Sequence, residues 1–505
     1  MDVKKKIIFI IGQHRSGTSL LSGLFKIFGS YIGKIETPDV DKFNPKGYFE
    51  NNAIEKINDH MLKSIGTNWS LARDIAEEHY TQLLTSDYPD KLKNILLEDI
   101  KLNDNPLLVI KDPRISLLLP IYFKVLKEIE NIEYGFIITQ RPADEISDSL
   151  KRAQKLAKER SLSLIRKYED ASKKYIKNHT HLWVSVFDCV AYKPIKFIKY
   201  LDSYFNMGLT INDATIKKAN DFIDMSLKNF SVKRNCKVIS AYYGPKRFSD
   251  LEGMVEILNR HINSEKQLDS GCFNDIIIVN HENNFNMPRK EEFYKLLDDI
   301  DGTPSRNGVF KVIHRPFQDG VGGSYCSFNY AFEKFKDDYE YWFFTEDNVI
   351  ITHEHIFKKC IEQLQQNPKV KYIGCLRYNN QVPPSHKKNE RHPEHLHGGC
   401  GCVNIKDLQE VYNKFGKLPY SERPMTESML KRIHSIPYEF KNRARAPFMD
   451  GEWSAWYKDF ENQGEVMFTN AYVQMGHELD VLNYEPRIVH WLHIMDKKIS
   501  IEHIA

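Results

Sequence analysis

The residues best suited to chemistry in the first half of the sequence form a loop near its start. The loop Gly12-Gln13-His14-Arg15-Ser16-Gly17-Thr18-Ser19 follows an apolar run at residues 7–11 and precedes an amphipathic stretch at residues 20–28. Strand, glycine loop and helix in this order predict an anion cradle of backbone N–H groups. A nucleoside-triphosphate loop has lysine after its second glycine, whereas this loop has Thr18, and its cation is Arg15. We therefore expect it to bind one phosphate group rather than a triphosphate.

A second pair of anion-binding residues lies further along the chain. Arg141 follows an apolar run, and Ser149, eight residues later, falls two turns into the next predicted helix. Arginine supplies charge and serine a hydroxyl donor, so the two can close on a second phosphate. Taken alone, such a pair is more typical of an exposed surface. Its occurrence together with the loop favours the phosphate-binding interpretation.

Together the two motifs resemble those of the sulfotransferase family that uses 3′-phosphoadenosine 5′-phosphosulfate (PAPS). The loop is similar to the family's 5′-phosphosulfate loop, and the Arg-to-Ser spacing is similar to its 3′-phosphate motif. Two further stretches resemble the family, Lys111-Asp112-Pro113-Arg114 and Val184-Ser185-Val186-Phe187-Asp188. The resemblance covers about residues 5–230. It implies PAPS as cofactor and sulfuryl transfer to an acceptor hydroxyl.

The resemblance leaves the catalytic base of that transfer open between two carboxylates. Arg15, with the loop N–H groups and Thr18 or Ser19, would stabilise the leaving diphosphate. Related enzymes use histidine or glutamate to take the acceptor's proton. Glu50 lies in a segment that resembles bacterial members of the family, and Glu36 is the rival. Either could also be an ordinary solvated carboxylate.

The second half carries an acidic motif after a predicted strand at residues 341–344. The motif is Thr345-Glu346-Asp347-Asn348. Adjacent carboxylates at the carboxyl edge of a sheet can hold a hard divalent cation beside a diphosphate. The same residues could instead cap the helix predicted at residues 353–363.

The surrounding order of motifs resembles a GT-A nucleotide-sugar glycosyltransferase of the broad family-two type, over about residues 235–495. The resemblance rests on three further stretches: Gly322-Gly323-Ser324-Tyr325, Gly398-Gly399-Cys400-Gly401-Cys402-Val403 and Asp450-Gly451-Glu452-Trp453. The motif Glu-Asp-Asn departs from the family's usual Asp-x-Asp.

The resemblance to GT-A enzymes implies roles for several residues. Glu346 and Asp347 would bind Mg²⁺ or Mn²⁺ and the nucleotide sugar, and Asp450 or Glu452 would serve as base. A late metal ligand could come from His490 or His493, although a histidine in such a position is more often a packed or surface residue. If no metal binds the acidic pair, the second half is better interpreted as a degenerate transferase fold that binds carbohydrate.

The elements that must position these residues are short apolar strands alternating with helical stretches, the pattern of parallel sheets covered on both faces. In the first half, strands are predicted at residues 7–11, 106–110 and 134–138, with a helical stretch at residues 144–174. A second such set begins near Asn235. With 505 residues, and about 100–200 expected per domain, we predict two α/β domains. The resemblances imply that residues 1–233 form a P-loop-like, parallel-sheet sulfotransferase domain and that residues 234–505 form a GT-A (Rossmann-like) domain.

The net charge and the apolar runs of the sequence restrict which classes of partner the protein can bind. The formal net charge of +3 is too small to indicate nucleic-acid binding. The apolar run at residues 7–11 is too short for a signal peptide or a membrane span. We therefore expect a cytoplasmic enzyme, with peripheral contact at the inner membrane face as the only form of membrane contact. Because two transferase domains are joined in one chain, we expect both to act on the same glycan or glycolipid acceptor, such as a bacterial surface polysaccharide precursor.

Overall fold

The computed structural model forms two compact units, Met1–Val232 with Gly302–Pro304 and Lys233–Asp301 with Ser305–Ala505. The predicted boundary after residue 233 falls at the edge of a stretch that the structure does not describe, and it stays a prediction. The residues described are 4–35, 40–71, 74–102, 105–227, 234–242, 253–282, 289–316, 323–347, 349–374, 377–378, 395–396, 400–420, 468, 471–481 and 488–490.

The first unit is built on a parallel sheet. Its strands are β1 (Lys5–Gly12), β2 (Leu107–Lys111), β3 (Ile132–Thr139) and β4 (His181–Val184). Its helices are α1 (Thr18–Ile27), α2 (Asn52–Ser64), α3 (Glu77–Thr85), α4 (Tyr88–Leu102), α5 (Ile115–Lys127), α6 (Ala143–Gln154), α7 (Lys158–Ile176), α8 (Val186–Tyr192), α9 (Pro194–Phe205) and α10 (Asp213–Phe222). The strands lie in the order β2-β1-β3-β4, and each pairing is parallel.

Strand β1 lies inside this sheet, between β2 and β3, and its apolar side chains are covered on both faces of the sheet. Its residues from Ile7 to Ile11 are at most 1% exposed. The chain runs from β1 to β2 on one side and then returns to place β3 on the other side. In an open parallel sheet, a crevice forms at the carboxyl ends of the strands where the order reverses. The crevice of this unit therefore lies beyond the ends of β1 and β3.

One sequence prediction in this unit is wrong. Residues 144–174 do not form one helical stretch, because α6 ends at Gln154 and α7 begins at Lys158. Lys155 adopts a left-handed conformation with φ 55°. The turn that it makes buries Leu156 in the hydrophobic core to 9% exposure. A tertiary contact, rather than local helix propensity, divides the stretch.

The second unit is built on a mixed sheet. Its strands are β5 (Arg234–Ala241), β6 (Asn274–His281), β7 (Phe310–Arg315), β8 (Tyr339–Glu346), β9 (Val349–Ile351), β10 (Val370–Gly374), β11 (Arg377–Tyr378), β12 (His395–Leu396), β13 (Cys400–Asn404), β14 (Glu478–Val481) and β15 (Ile488–His490). Its helices are α11 (Gly253–Gln267), α12 (Lys290–Ile300), α13 (Gly323–Phe335), α14 (Ile356–Gln366) and α15 (Ile405–Phe415).

The main sheet of the second unit has the order β14-β10-β13-β8-β5-β6-β7. Strands β5 to β8 are mutually parallel, whereas β13 runs antiparallel to both β8 and β10. The strand order reverses at β5, so the crevice of this sheet lies beyond the ends of β5 and β8. The predicted α/β class of both units is confirmed. Over the described stretches, every helix falls short of the length and apolar character needed to cross a membrane.

Candidate functional site

The loop after β1 turns sharply into α1. Gly12, Arg15 and Gly17 have φ values of 125°, 72° and 103°. At Gly12 a Cβ atom would come within 2.4 Å of the Thr139 carbonyl oxygen, so a larger residue would displace β3. Gly17 is the N-cap of α1 and offers no side-chain hydrogen bond to the helix. The first amides of α1 are therefore not capped by a side chain at the loop, which suits an anion.

Hydrogen bonds beneath the loop fix its shape. The Gly12 N–H donates to Ser116 Oγ at 3.0 Å. Ser16 Oγ donates to the Gln13 carbonyl at 2.5 Å and lies 2.5 Å from Thr139 Oγ1. The Ser16 side chain is fully buried. Its hydroxyl is therefore used within the loop.

The structure brings the two predicted phosphate motifs together at the crevice between β1 and β3. Arg15 Nε donates to Ser149 Oγ at 2.9 Å, and Arg141 Nη1 donates to the Arg15 carbonyl at 3.2 Å. Arg141 Nε also donates to Glu145 Oε2 at 2.7 Å, and its guanidinium lies 4.6 Å from the centre of the Phe187 ring. These contacts hold Arg141 in one orientation beside the loop.

The charges at this crevice favour a bound anion. Burial lowers the pKa of the Arg15 guanidinium, nearby Tyr48 raises it, and the like charge of Arg141 lowers it further. Two neighbouring guanidinium groups repel each other, and a phosphate between them would remove that repulsion. The helix N-terminus adds to the attraction.

A turn segment at residues 41–50 lies against the loop. Arg15 Nη2 donates to the Phe43 carbonyl at 2.9 Å, and Asn44 Nδ2 donates to Ser19 Oγ at 3.3 Å. Asp41 shapes the turn by accepting from the Tyr48 hydroxyl at 2.6 Å. This segment delivers the chain to Glu50.

Glu50 lies between two buried cations. Lys111 Nζ donates to Glu50 Oε1 at 2.5 Å, and Arg114 Nη1 lies 3.7 Å from Glu50 Oε2. The side chain of Glu50 is 11% exposed. Its assignment as the base stays a prediction, and the rival Glu36 lies outside the described residues.

Sequence reasoning assigned no role to Arg114, although it noted the stretch Lys111-Asp112-Pro113-Arg114. Besides Glu50, this guanidinium contacts Asp112 Oδ1 at 3.0 Å, Glu55 Oε1 at 3.1 Å and Asp59 Oδ1 at 2.8 Å. An arginine directly after the Asp112-Pro113 pair was the available signal. Arg114 organises the carboxylates beside the loop.

His14 points into this region from the loop itself. Its ring lies 4.5 Å from the ring of Trp69 and 6.0 Å from that of Tyr168, measured between centroids. Burial, followed by the charges of Arg114, Lys111 and Arg15, lowers the pKa of His14 well below its ordinary value. The imidazole is therefore neutral near pH 7.

In the second unit, Glu346 ends β8 and Asp347 follows it, at the crevice beside β5. The Asp347 N–H donates to the Ser240 carbonyl at 3.1 Å, and the Tyr242 N–H donates to Asp347 Oδ2 at 3.1 Å. Ser324 Oγ donates to Glu346 Oε1 at 2.5 Å. The alternative that the acidic motif caps the next helix is wrong, because the N-cap of α14 is His355.

Oxygen ligands of this kind fit Mg²⁺ or Mn²⁺. Within the described ranges, no three His, Cys, Asp or Glu side chains are grouped so as to hold a metal ion. The backbone of His490, on β15, pairs with Val349 on β9, two residues after Asp347. The remaining predicted residues, Asn348, Asp450, Glu452 and His493, lie outside the described residues. The metal assignment therefore stays a prediction.

Behind Asp347 lies a polar group that sequence reasoning missed. His261 Nδ1 lies 3.4 Å from the Asp347 carbonyl oxygen. On the next turn of α11, Glu265 Oε2 pairs with Lys237 Nζ at 2.8 Å. Burial lowers the pKa of His261, and the charge of Glu265 raises it. The available sequence signal was a lysine, Lys237, among the apolar residues of β5.

Comparisons with known proteins give structural similarities alone. No family model matches the chain, and no curated protein sequence matches it. A sulfotransferase domain from the curacin biosynthetic pathway is 14% identical, with a TM-score of 0.27 over 42% of this chain and 76% of that one. A 4-diphosphocytidyl-2C-methyl-D-erythritol synthase from Anaerococcus prevotii is 14% identical, with a TM-score of 0.25 over 48% of this chain and 96% of that one. A protein from Thermus thermophilus is 17% identical, with a TM-score of 0.23 over 36% of this chain and 88% of that one.

Proposed function

We propose that the first unit transfers a sulfuryl group from PAPS to a hydroxyl of a glycan or glycolipid. The observation that best supports this is the contact between Arg15 and Ser149, which joins the two phosphate motifs at the crevice. A nucleotide with phosphates at both its 3′ and 5′ positions needs two anion sites held at a fixed separation. The loop with Arg15 provides one such site, and Arg141 with Ser149 provides the other.

Each residue then has a defined role in the transfer. PAPS would supply the sulfuryl group. The leaving group would be adenosine 3′,5′-diphosphate, which departs through its 5′-phosphate. The amides of the loop and Arg15 stabilise the charge that develops on the leaving oxygen as the S–O bond to phosphate breaks. Glu50 accepts the proton of the acceptor hydroxyl as the new O–S bond forms. Lys111 holds Oε1 of Glu50, so Oε2 is the oxygen that would take this proton.

For the second unit, the proposed activity is glycosyl transfer from a nucleotide sugar. Glu346 and Asp347 lie at the carboxyl end of β8, in the parallel part of the mixed sheet, where the reversal of strand order at β5 forms a crevice suited to a ligand. A Mg²⁺ or Mn²⁺ ion on these carboxylates would neutralise the diphosphate. The proposal also includes a catalytic base and an added metal ligand from the end of the chain. The base would be Asp450 or Glu452, and the ligand would be His490 or His493.

One observation favours a second candidate function for this unit. Asp347 is fully buried, and its carboxylate already accepts a backbone hydrogen bond. If no cation binds there, the unit is a degenerate transferase fold that binds carbohydrate for the sulfotransferase.

Thermal unfolding with ligands tests both halves, because a ligand that binds only the folded state raises Tm. We expect adenosine 3′,5′-diphosphate and PAPS to raise Tm without a divalent ion, and nucleotide sugars to do so only with Mn²⁺. EDTA and Asp347→Ala should each abolish sugar transfer while leaving sulfuryl transfer nearly intact. Failure of adenosine 3′,5′-diphosphate to bind would refute the sulfotransferase. Sugar transfer that survives both treatments would refute the metal site.

A further inference from the structure

A buried polar chain runs from the centre of the second sheet toward Asp347. Lys237, on β5, places Nζ 3.0 Å from Oε1 and 2.8 Å from Oε2 of Glu265, on α11. One turn earlier on the same helix, His261 Nε2 lies 3.8 Å from Glu265 Oε1. The three residues are 3%, 4% and 0% exposed. They therefore interact in surroundings that contain little solvent.

The chain ends on the backbone of the acidic motif. The other ring nitrogen of His261, Nδ1, lies 3.4 Å from the Asp347 carbonyl oxygen. The Asp347 N–H and carboxylate are held by Ser240 and Tyr242. Asp347 is thus restrained at its N–H, its carboxylate and its carbonyl oxygen, and His261 contributes a side chain to these restraints.

Stability alone gives little reason for this arrangement. Desolvating an ion pair such as Lys237–Glu265 offsets most of its Coulomb energy, and apolar residues of similar volume often stabilise a core equally well. Metal-binding carboxylates, in contrast, are commonly oriented by hydrogen bonds from behind, and losing such a bond lowers metal affinity about 10–100-fold.

We propose that His261 is a positioning residue for a divalent-cation site at Asp347. Its Nδ1–H holds the Asp347 carbonyl and so fixes the turn that presents the carboxylate. Glu265, itself held by Lys237, lies 3.8 Å from Nε2, too far for a hydrogen bond. This inference rests on the proposed function, in which Asp347 binds Mg²⁺ or Mn²⁺.

Two substitutions of His261 separate hydrogen bonding from packing. In His261→Asn the side-chain amide nitrogen can occupy the place of Nδ1, whereas His261→Leu fills similar space without a donor. Mn²⁺ alone is titrated into the full-length chain by calorimetry, with Asp347→Ala as the baseline for unrelated sites. We expect the leucine variant to bind Mn²⁺ about 10–100-fold more weakly and the asparagine variant to stay within about threefold of wild type. Equal losses in both variants, or no loss in the leucine variant, would overturn the inference.

A second measurement does not depend on metal binding. Nitrogen-15 NMR of histidine-labelled protein, with His261→Asn used to assign the signal, reports which ring nitrogen carries the proton. The inference requires protonated Nδ1, and protonation of Nε2 alone would overturn it. If wild-type protein binds no Mn²⁺ at Asp347, the proposed cation-dependent function fails, and the tautomer then decides whether His261 holds the turn.

Discussion

Arg15 donates from Nε to Ser149 Oγ at 2.9 Å, although the two residues are 134 positions apart in the sequence. The bond connects the loop after β1 to the helix after β3. It places the two predicted phosphate-binding motifs on either side of one crevice. The relative position of the two proposed anion sites is therefore set by the fold before a ligand binds.

Arg141→Ala should weaken binding of adenosine 3′,5′-diphosphate far more than binding of adenosine 5′-phosphate. A charge-assisted hydrogen bond contributes about 1.5–3 kcal/mol, which is about 10–150-fold in Kd. Calorimetry with both nucleotides measures the difference. Lys158→Ala, which breaks an exposed ion pair with Asp144, serves as control. Because the substitution also removes the ion pair that Arg141 makes with buried Glu145, Arg141→Lys should also be tested. Equal losses for both nucleotides would contradict the assignment.

Glu50→Gln should lower sulfuryl transfer about 100-fold or more, with nucleotide binding intact, because an amide cannot accept the proton. Release of adenosine 3′,5′-diphosphate from PAPS in the presence of a glycan panel measures turnover. Glu55→Gln, which alters another carboxylate on Arg114, is the matched control. Unchanged turnover would transfer the role to Glu36, for which Glu36→Gln is the direct test.

His14 should make the stability of the first unit depend on pH. Its folded-state pKa lies below the ordinary value of 6.5, so below pH 6.5 the unfolded chain binds a proton that the folded chain does not. Stability should therefore fall as the pH drops from 6.5 toward 5, by up to about 1.4 kcal/mol per pH unit. Urea unfolding followed by tryptophan fluorescence measures this slope.

The control for the pH effect is an exposed histidine of the same unit. His14→Gln should flatten the slope below pH 6.5, and His60→Gln is the matched substitution at the surface. A slope that is the same in wild type and in His14→Gln would show that other groups cause the acid sensitivity.

Gly23→Ala should destabilise the first unit, although alanine normally stabilises a helix by about 0.5–1 kcal/mol over glycine. A Cβ on Gly23, in α1, would lie 2.4 Å from Phe222 Cζ and 3.0 Å from Phe49 Cε2. Such overpacking costs about 1–3 kcal/mol, which thermal unfolding would detect as a lower Tm. In a Phe222→Ala background the same substitution should become neutral or stabilising. A rise in Tm for Gly23→Ala alone would disprove the predicted clash.

The sequence by itself determined the local elements and the residue types available for chemistry. The apolar run before Gly12 predicted β1, since a strand covered on both faces has no polar alternation. The glycines of the loop, with Arg15 as its cation and Thr18 in place of lysine, predicted a site that binds one phosphate group rather than a triphosphate. The acidic pair after β8 was found in the same way. These are properties of neighbouring residues, so the one-dimensional pattern contains them.

Tertiary structure alone decided which of these residues meet. The contact of Arg15 with Ser149 depends on β3 lying beside β1, and that of His261 with Asp347 on β8 lying beside β5. The pairing of Glu50 with Lys111 likewise joins residues 61 positions apart. Periodicity predicts that a strand exists, but not its neighbour, because strand order is settled by packing across the whole sheet. Hydrogen bonds, ion pairs and the pKa values that depend on them follow from that order.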